Sequence, residues 1–252
     1  MKIAVAGGTG VAGRHTVNAL RSAGHDPIVI ARSTGANLQT GAGLAEALTG
    51  VDAVIDATNV KSTTKRASTT FFETTARTLI TAAEAAGIRH IVALSIIGIE
   101  RVPYGYYQGK LRQEQVLQQS PIPVSILRAA QFHEFASQYL ATMRGPLVLV
   151  PRWRAQPVSA REVGQALAKI AVADPVPMSE LVGPQEEIMA NMIRQVIRAR
   201  GDRRAVVEVR VPGAAGKAMA SGAGLPDRPG LRGAQTFHDW LAEQQQRNQA
   251  TP

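Results

Sequence analysis

Apolar residues along this chain fall into short runs, separated by stretches in which they return at three- and four-residue intervals. Residues 3–6, 27–31, 51–57, 88–95 and 123–128 are short, nearly continuous apolar runs, and each predicts a buried strand. Between them come helical patterns. One follows residue 10, carries Val17 and Leu20, and stops at Gly24; a short one spans 43–48 and ends at Gly50. Thr70 with Glu73 reads as a capping box opening a third, whose Phe72, Ala76, Leu79, Ile80 and Ala83 share a face and which Gly87 ends. A fourth covers 106–119. Residues 36–38 give a weak strand pattern, and the polar stretch 61–68 reads as a mobile loop. Strands alternating with helices predict βαβ units, hence an α/β, Rossmann-type doubly wound parallel sheet with helices on both faces.

Beyond about residue 130 the alternation loosens. Residues 145–150 and 206–211 read as strands, and 187–200 as a helix. Residues 159–172 read as another, with Ser159 and Glu162 at its start. The Gly/Pro-rich stretch 213–233 reads as a long loop before Thr236 caps a last helix holding Phe237, Trp240 and Leu241. No internal repeat is visible. The expectation is one domain over 1–252, with an α/β core at 1–130 and a small lobe at 131–252.

The first strand runs into Gly7-Gly8-Thr9-Gly10-Val11-Ala12-Gly13. Glycines so spaced between a first strand and a first helix form a dinucleotide fingerprint. Gly7 turns the chain off the strand, Gly10 admits a pyrophosphate to the backbone, and Gly13 lets the helix pack closely. The helix N-terminus then faces the phosphates. The end of the second strand, where an acidic residue would bind ribose hydroxyls, holds Arg32 followed by Ser33. A planar cation there suits a 2′-phosphate, so NADP is expected over NAD, the alternative being a solvated loop arginine.

At 252 residues the chain is long enough for a substantial core, and with Cys 0 it has no disulfide or cysteine metal site. A net charge of +9 favours anionic ligands, and its densest group is Arg194, Arg198, Arg200, Arg203, Arg204 and Arg210. Without interleaved aromatics this reads as a solvated face, and no nucleic-acid partner is expected. No apolar run is long enough to span a membrane, and a strand begins at once where a signal peptide would lie. A soluble, cytoplasmic protein is expected.

Ser95 ends a strand, and Tyr106 and Lys110, four residues apart, share one face of the helix that follows. A phenol can protonate an oxygen on a carbon receiving hydride. A nearby ammonium would favour its ionised form, and a serine hydroxyl can hold the substrate oxygen. Each also has an ordinary reading: Tyr106 and Tyr107 as core aromatics, Lys110 as a surface lysine, Ser95 as a strand-end serine. His133 and Glu134 have no third ligand at a useful spacing, so no metal is expected.

Together the glycine run, the basic end of the second strand, Ser95 and Tyr106-x-x-x-Lys110 resemble the short-chain dehydrogenase/reductase superfamily. More narrowly they resemble its atypical NmrA-like members, which include isoflavone-reductase-type enzymes. The phrase Ile126-Leu127-Arg128-Ala129-Ala130-Gln131-Phe132-His133-Glu134-Phe135 is similar to that group's segment beside the nicotinamide. The resemblance covers roughly the first 170 residues and, more loosely, residues 236–241. It implies that Gly7, Thr9, Gly10, Val11, Ala12 and Gly13 hold the pyrophosphate and that Arg32 and Ser33 meet the 2′-phosphate. It places Ala57, Thr58 and Asn59 on the adenosine and ribose side, Lys110 at the nicotinamide ribose, and Gln131 and Phe132 along the nicotinamide. The Ser95 to Tyr106 spacing is shorter than in typical members. The implied function is an NADPH-dependent oxidoreductase reducing a carbonyl or activated double bond of a small molecule, as a monomer or homodimer. The alternatives are a non-catalytic NADP(H) sensor and, behind it, an epimerase or dehydratase.

Overall fold

In a computed structural model that describes residues 1–250, the short apolar runs become the strands of one sheet. In chain order the elements open with β1 (Lys2–Ala6), α1 (Val11–Ser22), β2 (Asp26–Ile30), α2 (Leu44–Ala47), β3 (Ala53–Asp56), α3 (Lys65–Ala85), β4 (His90–Ile96), α4 (Gly105–Leu117) and β5 (Val124–Ala129). There follow α5 (Glu134–Thr142), β6 (Leu147–Pro151), β7 (Arg154–Ala155), α6 (Ala160–Val172), β8 (Met178–Val182), β9 (Glu187–Ile188) and α7 (Met189–Ala199). The last elements are β10 (Ala205–Val209), α8 (Gly213–Ala220), β11 (Leu231–Arg232) and α9 (Phe237–Ala250).

The main sheet has seven strands in the order β11-β8-β5-β4-β3-β1-β2. Its β1–β2, β1–β3, β3–β4, β4–β5 and β8–β11 pairs are parallel, the Rossmann-type arrangement expected. From β1 the chain goes to one neighbour, β2, and then crosses to the other, β3. The strand order therefore reverses between β1 and β3, and their C-terminal ends form the crevice where such sheets take ligands. Ile3, Ala4, Val5, Val54, Ile55, Ile91 and Val92 are fully buried, as the continuous runs require of strands covered on both faces.

Two compact units make up the chain: Met1–Glu100, Tyr104–Ala129 and Ala160–Ser179 form the first, and Arg101–Pro103, Ala130–Ser159 and Glu180–Pro252 are assigned to the second. In the first unit α2, α3 and α4 cover one face through Leu44, Leu48, Ala76, Leu79 and Val116. On the other, α1 and α6 meet at Gly164, where an added Cβ would lie 2.6 Å from the His15 backbone. The second unit has its own core of Leu140, Val148, Val150, Met192, Ile193, Val196, Phe237 and Trp240.

Several expectations need correction. Residues 61–68 are not all loop, because α3 begins at Lys65. Thr70 and Glu73 are thus internal to α3, and Glu73 accepts hydrogen bonds from Arg77 and Arg112 instead of capping. Two arginines hold its carboxyl down to about 2. Residues 36–38 form no strand, and Asn37 instead organises a turn closed by Ala42. The stretch 213–233 contains α8 and β11, and Arg101 holds it by donating to the carbonyls of Ala223 (2.9 Å) and Leu225 (2.6 Å) and to Asp227. Sequence periodicity also missed α5 and β8. The cap on α9 is as expected: Thr236 Oγ1 accepts the Asp239 N–H at 3.1 Å. Among the arginines read as a solvated face, Arg204 is structural, gripping Asp202 and the Met143 carbonyl. Among the described residues no helix is long and apolar enough to cross a membrane.

Candidate functional site

The glycine run makes the turn from β1 into α1. Gly7 has φ +74°, and a Cβ on it would lie 2.6 Å from the Ala57 carbonyl oxygen. The turn is thus pressed against the end of β3, which brings Ala57 and Thr58 beside it. At Gly13 a Cβ would lie 2.1 Å from the Gly7 carbonyl oxygen. The close packing that Gly13 permits is therefore against the turn itself. At Gly10 the added atom would meet only that same carbonyl, at 3.1 Å, so this side of the turn is open.

The first helical hydrogen bond runs from the Arg14 N–H to Gly10, so the N–H groups of Val11, Ala12 and Gly13 have no acceptor within the helix. Neither a side-chain cap nor an acidic residue occupies the first turn. Open glycine backbone, unclaimed donors and the positive end of a helix dipole fit a pyrophosphate.

Arg32 and Ser33 follow β2 in a single 3-10 turn, Arg32–Thr34, where Thr34 Oγ1 both accepts from the Ala31 N–H and donates to the Val29 carbonyl. Both are exposed, and among the described residues the Arg32 guanidinium has no hydrogen-bond or ion-pair partner. An ordered turn that presents an unclaimed cation at the crevice end of β2 fits a 2′-phosphate.

At the other side of the crevice β4 carries Ser95 at its penultimate position and α4 supplies Tyr106 and Lys110. Gly105 and Gly109, four residues apart, let α4 lie directly on the start of α3. Added Cβ atoms would fall 2.4 Å from the Thr63 carbonyl oxygen and 2.7 Å from Ser68. Lys110 is only 3% exposed; its ammonium lies 4.7 Å from the centre of the Phe72 ring and donates to the Leu94 carbonyl at 2.5 Å and to Gln113. It is no surface lysine. The Leu94 bond tethers it to the residue before Ser95, whose buried Oγ has no hydrogen-bond partner among the described residues. The Tyr106 hydroxyl donates to Asn59 Oδ1 at 2.7 Å, joining α4 to the loop after β3.

Burial pushes the Lys110 ammonium down to about 8, with Asp56 and Glu114 acting against it. It also pushes the Tyr106 phenol well above its ordinary range, aided by Tyr104 and Asp56. The sequence reading expects the ammonium to ionise the phenol. In the structure the two share no hydrogen bond, and desolvation dominates both groups.

The sequence reading missed the buried Asp56, Gln113, Glu114 and Arg128. Asp56, fully buried at the end of β3, accepts from the Thr58 N–H (2.9 Å), Thr58 Oγ1 (2.6 Å) and Gln113 Nε2 (2.6 Å). Arg128 on β5, the register partner of Ser95, grips Glu114 with two bonds of 3.0 and 2.6 Å and reaches Glu100 at 2.7 Å. Charged residues flanked by apolar ones, as in Val54-Ile55-Asp56-Ala57 and Ile126-Leu127-Arg128-Ala129, were the available signal.

Gln131 and Phe132 belong to the second unit, where Phe132 bridges Val158. His133 lies buried against Phe237 and Trp240, with Nε2 3.1 Å from the Gln235 carbonyl. Among the described residues no group of acidic and histidine side chains could hold a metal.

A family model described as NAD(P)H-binding matches residues 7–174. No curated protein sequence matches the chain. Among solved structures the chain is similar to the triphenylmethane reductase of Citrobacter sp. (TM-score 0.74, 16% identity, over 98% of this chain and 100% of that one). It is also similar to the NADPH-dependent quinone oxidoreductase QOR2 of Escherichia coli complexed with NADPH (TM-score 0.74, 16% identity, 96% and 99% covered). A third is a short-chain dehydrogenase/reductase superfamily protein of Agrobacterium tumefaciens with bound NAD (TM-score 0.71, 17% identity, 99% and 98% covered). Such identities establish a shared fold. Since the family model spans the glycine turn, β2 and β3 and all of α4, the chain belongs to the NAD(P)H-binding family.

Proposed function

We propose that this protein is an NADPH-dependent oxidoreductase that reduces a carbonyl or an activated double bond of a small organic molecule. The observation that carries the reading is the pair at the crevice: a buried, unpartnered Ser95 hydroxyl next to a buried Lys110 tethered at Leu94. An orphaned buried hydroxyl costs free energy unless a ligand satisfies it, and a substrate oxygen would do so. Two of the similar structures are named for reduction of conjugated acceptors, a quinone and a triphenylmethane dye, which supports the same class.

The dinucleotide, when bound, supplies a hydride to the electrophilic carbon. The Val11, Ala12 and Gly13 N–H groups bind the pyrophosphate, and Arg32 with Ser33 binds the 2′-phosphate. Lys110 retains one ammonium proton for a ribose hydroxyl, since Leu94 and Gln113 take the other two. Ser95 Oγ–H orients the substrate oxygen. Tyr106, protonated at neutral pH as a phenol is, transfers its hydroxyl proton to that oxygen as negative charge develops there.

Tyr106→Phe tests this assignment. General acid catalysis contributes typically 10² to 10⁴ in rate, so turnover should fall by about that factor while NADPH affinity stays within about twofold. NADPH consumption over quinones, enones and aldehydes, paired with a cofactor titration, measures both. Undiminished turnover would move the donor elsewhere, to Tyr107 first. The phenol's bond to Asn59 in place of Lys110 also favours a second reading, a non-catalytic NADP(H) sensor. Tight NADPH binding with no turnover across the panel would support it.

A further inference from the structure

The first unit buries four charged side chains near one another at the crevice end of the sheet: Asp56, Lys110, Glu114 and Arg128. They divide into two pairs of different construction. Arg128 and Glu114 meet face to face, both at most 5% exposed, in a two-bond fork that satisfies each. Asp56 and Lys110 do not touch. Gln113 lies between them, its amide nitrogen donating to Asp56 Oδ2 and its amide oxygen accepting from the Lys110 ammonium. This amide orientation alone suits both neighbours, because a carboxylate only accepts and an ammonium only donates.

We propose that Asp56 and Gln113 are positioning residues for Lys110, the carboxylate serving as its counter-charge and the amide as a neutral spacer that transmits the charge without closing an ion pair. Glu114 faces Lys110 from its own helix, but its charge is already claimed by Arg128, which leaves Asp56 as the balancing carboxylate. Tyr106 on α4 and the Phe72 ring on α3 complete the surroundings; the ring face stabilises a cation, and the phenol is neutral. A direct carboxylate contact would hold the proton firmly and occupy the remaining N–H. With the spacer, Lys110 stays cationic near neutrality yet keeps one donor free. The proposed role of that donor at the ribose rests on the function proposed above; the relay itself does not.

The test follows the titration of the Lys110 side chain by NMR of lysine-labelled protein, assigned with Lys110→Met. The wild-type group should titrate near 8. For charges roughly 6 Å apart at an effective dielectric near 20, Asp56→Asn should weaken its proton affinity by about tenfold to a hundredfold. Gln113→Leu, which breaks the connection from the other end, should weaken it as well. The double variant Asp56→Asn with Gln113→Glu moves the carboxylate onto the ammonium while an amide still donates across the gap, and should raise the affinity above wild type. The double variant also guards against misfolding as the cause, since only a charge effect changes sign. A Lys110 titration that Asp56→Asn moves by less than about twofold, or a folded double variant that fails to raise it, would overturn the relay. An NADPH titration on the same samples separates the two ideas. If the Lys110 titration shifts as expected but NADPH does not bind wild type, the relay stands and the functional reading falls.

Discussion

Two glycines three residues apart should respond to the same substitution in different ways, because one faces the protein and the other the ligand. Gly13→Ala places a methyl carbon 2.1 Å from the Gly7 carbonyl oxygen and 2.8 Å from Gly8 Cα, all backbone that no rotamer change can move. Reaching ordinary contact needs a shift of about 1 Å between α1 and the turn, and such overpacking costs typically 1–3 kcal/mol. For a chain of this size that lowers Tm by roughly 3–10 °C. Gly10, at φ −76° and ψ 179°, has an extended backbone any residue adopts, and its added methyl meets only the Gly7 oxygen, at 3.1 Å. Gly10→Ala should therefore leave stability within about 1 kcal/mol of wild type, since a compatible Gly→Ala change also restricts the unfolded chain. If the pyrophosphate crosses that open side, the methyl should weaken NADPH binding by about tenfold to a hundredfold. Thermal unfolding without ligand and a fluorescence titration with NADPH separate the two effects. A Gly10→Ala protein that binds NADPH like wild type would refute the placement of the phosphates, and a Gly13→Ala protein of unchanged Tm would refute the packing argument.

Arg32→Ala should cost NADPH about 1.5–3 kcal/mol, one to two decades of affinity, and leave NADH nearly unaffected; equal losses would remove Arg32 from the 2′-phosphate. Arg128→Met leaves Glu114 buried and unpaired and should destabilise by about 3–5 kcal/mol in a denaturant titration, with most of the loss recovered by adding Glu114→Leu. His90, buried at the start of β4, lies 2.8 Å from Ser125 Oγ and bonds the Ala171 backbone. Burial lowers its pKa below 6.5, so the folded state favours the neutral ring. Its contribution is complete above pH 6.5 and is lost as pH falls through the unfolded value towards the folded one. Wild type should lose stability more steeply than His90→Gln across that window, and parallel curves from denaturant midpoints at several pH values would contradict this.

The strands of the first unit were legible because each is buried on both faces and so reads as an unbroken apolar run. Predicted and observed spans of β1 to β5 differ by no more than three residues at an end. What failed had a physical cause in each case. Lys65, Arg66 and Ala67 open α3 on an exposed turn with no apolar period to detect, and the Thr70–Glu73 spacing drew the boundary inward. In β8 the run is broken by Ser179 and Glu180. In α8 two glycines hide a helix; Gly216 is accommodated because a Cβ there would fall 2.1 Å from the Val211 carbonyl oxygen.

The candidate site divides along the same line. Local spacing was enough to single out Gly7 to Gly13, Arg32, and Tyr106 with Lys110, since a turn or one helical face brings each set together. Partnerships between residues far apart in sequence were not visible: Gln113 to Asp56 spans 57 positions and Tyr106 to Asn59 spans 47. The electrostatics turn on those partnerships. From Tyr106 and Lys110 alone, the ammonium should ionise the phenol. In the folded chain Lys110 donates to Leu94 and Gln113 while Tyr106 donates to Asn59, and the same desolvation lowers one group and raises the other. For the proposed reduction this arrangement sets a demand. The phenol is protonated at neutral pH, but its raised pKa makes it a weaker acid, so transfer requires the Lys110 ammonium to stabilise the phenolate that remains, which a charge does best where water is excluded.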